Sequence, residues 1–103
     1  MSDERFILKN ARHLAARYME EILRPGDIAV DATMGNGKDT QFLCELVGET
    51  GHVYAFDVQA DALSQTREKL DKHKMNAELI LDGHEHMKEY VKETEVSCIM
   101  FNL

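Results

Sequence analysis

The feature that most constrains this chain is the stretch Asp31-Ala-Thr-Met-Gly-Asn-Gly-Lys-Asp-Thr40, taken with its flanks. An apolar run, Ile28-Ala-Val30, leads into it, and a helix-like run, Gln41-Phe-Leu-Cys-Glu-Leu-Val47, leads out. A second apolar run, Val53-Tyr-Ala-Phe56, ends in Asp57, twenty residues after Gly37. A strand, a glycine turn, a helix and a strand closed by an acid form the layout of a nucleotide-type cofactor site. Gly35 and Gly37 let the backbone turn sharply and come close to a ligand. The helix that follows offers N–H groups and a partial positive charge to an anion. Asp57 is placed to accept hydrogen bonds from ribose hydroxyls.

The rest of the chain continues the alternation. Ile7, Ala11, Leu14, Tyr18 and Ile22 recur at spacings of three and four and predict a helix over 5–23. Arg24-Pro25-Gly26-Asp27 stops it. Strands are expected over 27–33, 52–56, 77–81 and 96–101. Helices are expected from Gly37 or Lys38 to Val47, from Ala60 to about His73, and from Gly83 to Glu93. Phe42, Leu43, Leu46 and Val47 form the expected inward stripe of the first of these. Ala62, Leu63, Thr66 and Leu70 form that of the second. Strands alternating with helices predict an α/β fold with a parallel sheet and right-handed crossovers. The successive apolar residues Ile28-Ala-Val30 suit a strand covered on both faces.

At 103 residues the chain holds one domain at most. It carries 19 acids against 12 Lys plus Arg, a net charge of −7. Such a surface does not by itself attract a nucleic-acid backbone, and no basic patch stands out. Cys44 and Cys98 sit in apolar segments, lack zinc-like spacing, and read as buried reduced thiols. No run approaches the roughly 20 apolar residues that span a bilayer, and the charged N-terminus is not a signal peptide, so a cytoplasmic location is expected. The last residues, Phe101-Asn-Leu103, close a buried-type strand with no helix after it. This is the pattern of a domain truncated after its fourth strand, or of one completed by a partner. A homodimer through that strand is one way to cover an apolar edge.

The glycine pattern discriminates among cofactors. A dinucleotide fingerprint needs a third glycine or alanine where Thr40 stands, and no Walker-type loop is present. Asp31, four residues ahead of Gly35, would repel a pyrophosphate and attract an amine. S-adenosylmethionine (SAM), with an ammonium group, a carboxylate and a nucleoside, fits. Its amino group would lie near Asp31 and its carboxylate near the N–H groups from Lys38 to Thr40. Its ribose would meet Asp57, and its adenine would lie near Val58 and Asp82. Thr33, Met34, Asn36, Asp39, Gln59, Gly83 and His84 complete the expected cofactor set.

The string Val30-Asp-Ala-Thr-Met-Gly-Asn-Gly-Lys-Asp-Thr-Gln-Phe-Leu43, followed by Gly51-His-Val-Tyr-Ala-Phe-Asp-Val-Gln59, resembles the small bacterial class I SAM-dependent methyltransferases labelled rRNA methylases. Some members are described as tRNA wobble-uridine methyltransferases acting on an aminomethyl group. The resemblance covers nearly the whole chain. It implies a Rossmann-like sheet of strand order 3-2-1-4-5-7-6, of which this chain holds the first four strands. It implies an RNA substrate, and it puts Asn102 at the start of the loop beside the transferred methyl, as the candidate catalytic residue. In the family that loop continues beyond Leu103.

Plainer readings stand beside these. Asp39 and Thr40 serve equally as helix-capping residues, and Asp82-Gly83 as an ordinary turn. His84-Glu-His86 looks like a metal pair, but alternate residues point different ways and no further ligands cluster, so no metal is expected. An NAD-linked oxidoreductase fragment and a non-catalytic module that pairs through its fourth strand are the rival functions.

Overall fold

The computed structural model describes residues 18–92 and 96–101. The strands are β1 (Ile28–Asp31), β2 (His52–Asp57), β3 (Glu78–Leu81) and β4 (Cys98–Met100). The helices are α1 (Lys38–Val47) and α2 (Ala60–Lys72), and a 3₁₀ segment spans His84–Glu89. All strand pairs are parallel, in the order β3-β2-β1-β4. The expected α/β class and strand order are therefore present.

The period-2 geometry of a strand sorts its side chains onto two faces. Ala29 and Val53 face α1 and α2, in a cluster with Leu43, Cys44, Val47 and Leu70. Val30, Tyr54, Phe56 and Ile80 face the other way, where Met87, Tyr90, Val91 and Val96 pack. Both faces of β1 and β2 are thus covered, which is why their runs are apolar on successive residues. Residues 18–22 are helical, and Met19 and Leu23 enter the core. The rest of the helix expected over 5–23 lies outside the described residues.

Several expected boundaries shift. The first strand ends at Asp31 rather than Thr33, because the chain turns off the sheet there. Ala32 N–H still donates to the Met100 carbonyl at 2.8 Å. The last strand begins at Cys98, although Ser97 N–H already bonds to the Ile28 carbonyl. The buried stripe of α1 is Thr40, Leu43, Cys44 and Val47, while Phe42 and Leu46 lie partly buried at its margins. The largest correction concerns the helix expected over 83–93. It is a short 3₁₀ segment with a kink at His86 and no buried residue. Met87, Tyr90 and Val91 pack only partly buried against the sheet, and Asp82 ties the segment down locally.

Cys44 and Cys98 are buried free thiols, and burial pushes both up to about 11. Thiols so placed stay protonated and inert at neutral pH. No helix among the described residues is long and apolar enough to cross a membrane.

Candidate cofactor site

The site is built where the chain leaves β1. Met34 N–H donates to the Phe56 carbonyl at 2.8 Å, drawing the loop across the end of β2. Gly37 N–H then donates to the Met34 carbonyl at 2.9 Å and closes the turn. Gly35 has φ +56° and Gly37 φ +90°, left-handed conformations that cost other residues free energy. A Cβ on Gly37 would lie 2.9 Å from the Cα and Oγ1 of Thr66. A Cβ on Gly35 would meet nothing within 4 Å, so that glycine borders open space. The Met34 side chain is buried against Ala55 and Ala62 and anchors the loop from below.

Two carboxylates brace this loop. Asp31 is fully buried. Its Oδ2 accepts the Thr40 hydroxyl at 2.7 Å, and its Oδ1 accepts Thr33 N–H at 3.3 Å. Burial pushes the Asp31 carboxyl up to about 7, the Thr40 hydrogen bond opposing. Asp57 is buried at the end of β2. Its Oδ2 accepts Gly35 N–H at 3.1 Å and its Oδ1 accepts Gln59 N–H at 3.0 Å. It therefore stitches the glycine loop to the start of α2. Each oxygen keeps a second lone pair, so these bonds leave capacity for a further donor.

The remaining expected residues fall around this centre. Thr33 and Asn36 are exposed, and Asn36 Oδ1 accepts Lys38 N–H at 3.0 Å. Asp39 lies in the first turn of α1, which Gly37 opens without a side-chain cap. Val58 is 70% exposed beside Asp57, an apolar surface held open at the sheet end. Asp82 forms a backbone bridge with Asp57, which brings the segment after β3 to the same end of the sheet. Gly83 is buried, and exposed His84 meets Phe101 edge-on at 5.1 Å, just after β4. Asn102 lies outside the described residues.

Asp82 is more than a turn residue. Its Oδ1 accepts Gly83 N–H at 2.7 Å and His86 Nδ1–H at 2.9 Å, and its Oδ2 accepts the Tyr90 hydroxyl at 2.8 Å. An ionised carboxylate only accepts, so the proton is assigned to His86 Nδ1. These bonds, His86 foremost, hold Asp82 below the usual carboxylate range, and Asp82 in turn raises both His86 and Tyr90. The sequence marks His86 only through the metal-like His84-Glu-His86 pair, and does not mark Tyr90 or the buried Thr66 as site residues. Thr66 carries no signal beyond its place in the inward stripe of the helix expected from Ala60 to about His73. Among the described residues, no group of three or more His, Cys, Asp or Glu is arranged to hold a metal.

The family model described as "Putative rRNA methylase" matches residues 53–103. The chain is 37% identical over 106 residues to a chloroplastic tRNA (mnm(5)s(2)U34)-methyltransferase of Arabidopsis thaliana, covering 92% of this chain and 39% of that protein. It superposes on a putative rRNA-methylase from Clostridium thermocellum with a TM-score of 0.86, at 40% identity over 89% of this chain and 52% of the other. A putative methyltransferase from Streptococcus mutans, solved with S-adenosylhomocysteine (SAH), gives a TM-score of 0.83 at 44% identity over 91% of this chain and 52% of the other. The chain thus spans about two fifths of that curated relative (39%) and about half of these two solved chains (52% of each). With its glycine loop, its strand order and these matches, the chain is similar to the rRNA-methylase family and carries the class I SAM-dependent methyltransferase fold.

Proposed function

We propose that this chain binds SAM and forms the cofactor half of an RNA methyltransferase. The observation that carries the reading is the braced glycine loop, pinned by Asp57 and lying over the Asp31–Thr40 pair. It faces open space at Gly35 on the carboxyl end of a parallel sheet. That edge is where open α/β sheets take ligands. The residues present fit the cofactor. Asp57 has lone pairs left for the ribose hydroxyls. Val58, Gly83 and His84 offer an apolar, partly aromatic surface to the adenine. The first turn of α1 suits a carboxylate. Asp31 sits beneath the loop, where a ligand ammonium would favour its ionised form. The Streptococcus mutans structure, solved with SAH, supports the same assignment.

When bound, SAM supplies an electrophilic methyl with its own leaving group, so the protein needs no nucleophile of its own. What the chain contributes is position and exclusion of water. The acceptor we favour is an aminomethyl group on a tRNA wobble uridine, because the Arabidopsis thaliana relative bears that name over 92% of this chain. An rRNA acceptor is the second reading, favoured by the family's description. Asn102 is assigned the orienting of an acceptor N–H through its side-chain carbonyl. Asn102→Ala should lower the methylation rate and leave SAH affinity within about twofold. An unchanged rate removes Asn102 from the mechanism.

Isothermal titration tests the cofactor assignment directly. Saturable binding of SAM and SAH, with none of NAD, is expected. A folded chain that binds neither overturns it. Methyl transfer from labelled SAM, offered either tRNA already bearing the aminomethyl wobble uridine or rRNA lacking its methyl groups, then separates the two acceptors.

A further inference from the structure

Thr66 lies in the middle of α2, 31 residues from Gly35, and its side chain is fully buried. A buried hydroxyl facing a loop, rather than the core, calls for a reason. Its Oγ1 donates to the Gly35 carbonyl at 3.4 Å. Its Cα, Cβ and Oγ1 also lie so close to Gly37 that a Cβ there would sit 2.9 Å from the first, 3.1 Å from the second and 2.9 Å from the third. Both glycines of the loop are therefore seated on one residue of α2. The Gly35 N–H is meanwhile held by Asp57. Both backbone polar groups of Gly35 are thus held, the N–H by β2 through Asp57 and the carbonyl by α2 through Thr66.

We propose that Thr66 is a positioning residue for the cofactor loop: its hydroxyl and its close packing against Gly37 set the orientation in which the loop receives SAM. The inference rests on the proposed cofactor assignment. Thr66 does not touch the ligand; it acts through the glycine backbone. Threonine suits the position because its branched Cβ leaves few χ1 rotamers in a helix, and full burial holds the one that meets Gly35. Valine would keep the shape and lose the donor. Serine would keep the donor and lose one methyl.

The test compares the full chain with Thr66→Val and Thr66→Ser. Two readouts are taken: amide hydrogen exchange at Gly35 and Gly37, and SAH affinity by titration. Thermal unfolding confirms that each variant is folded. Thr66→Val should exchange faster at both glycines and bind SAH several-fold more weakly, up to about tenfold, the scale of one lost hydrogen bond. Thr66→Ser should restore both within about twofold. Unchanged exchange in Thr66→Val overturns the proposal, whatever the affinity does. Faster exchange with undiminished SAH binding overturns it too, since the loop would then be loosened without consequence. If the unsubstituted chain binds no SAH, the cofactor reading has failed. The exchange data then still decide whether Thr66 holds the loop.

Discussion

At the scale of single residues, Asp31 carries the sharpest consequence. A carboxyl whose folded pKa is raised binds its proton more tightly in the native state than in the unfolded chain. Its contribution is complete below its unfolded value of 3.8 and is lost as pH rises toward about 7. Across that window stability should fall by as much as about 4 kcal/mol, at roughly 1.4 kcal/mol per unit. Asp31→Asn should flatten this part of the profile, as read by urea unfolding at pH steps from 4 to 7. An Asn variant with the same slope would show that other groups set it. The ligand side runs with the opposite sign. If the ammonium of SAH lies near Asp31, its affinity rises as Asp31 ionises, and the Asn variant loses that dependence. The residue's identity was legible from its place before the glycines. Its burial was not, because shielding comes from α1, packed above it by the Thr40 bond.

Among the elements, the segment after β3 departs most from expectation. Sequence periodicity over 83–93 suggests an α-helix, yet the chain forms a 3₁₀ segment, His84–Glu89. Three donors converge on the Asp82 carboxylate: Gly83 N–H, His86 Nδ1–H and the Tyr90 hydroxyl. A carboxylate that gathers nearby donors in this way competes with helical hydrogen bonding. The ring of Tyr90 also meets Phe56 edge-on, with centroids 5.8 Å apart, and so joins this segment to the core. Tyr90→Phe keeps that ring contact and removes one of the bonds. Amide exchange over 86–91 should quicken, while amides of β2 stay as slow as before. Uniform acceleration through β2 would mean that the segment opens only with the whole fold. The chemistry of this cluster depends on residues four and eight positions after Asp82, a spacing that carries no helical signature once the helix itself is absent.

For the whole molecule, one sheet supports everything at the site. Its helix-covered face buries Leu43 and Leu70 completely beneath α1 and α2. Leu43→Ala should cost about 2–5 kcal/mol, the range for large-to-small changes in a packed core. The loss would appear as a lower urea midpoint at an unchanged slope. A cost well under 1 kcal/mol would mean that α1 collapses into the gap. At the opposite edge from β3, β4 leaves Ile99 43% exposed. An apolar edge of this kind prompted the expectation of strand pairing between copies.

The sequence by itself determined the order of the elements, the parallel sheet, the glycine loop and the acid at the end of β2. These follow from local rules: hydrophobic runs, turn-forming residues and fixed spacings act over a few residues and survive without knowledge of the fold. It also marked Asp31, Asp57 and Asp82, but not what each one grips. That was decided only when β1, β2 and α2 came together. Asp57 reaches Gly35 across 22 residues and Thr66 reaches it across 31. Such contacts depend on how strands and helices are juxtaposed in space, and no spacing along the chain encodes that distance. The same packing brought an inward threonine of α2 against both glycines of the loop.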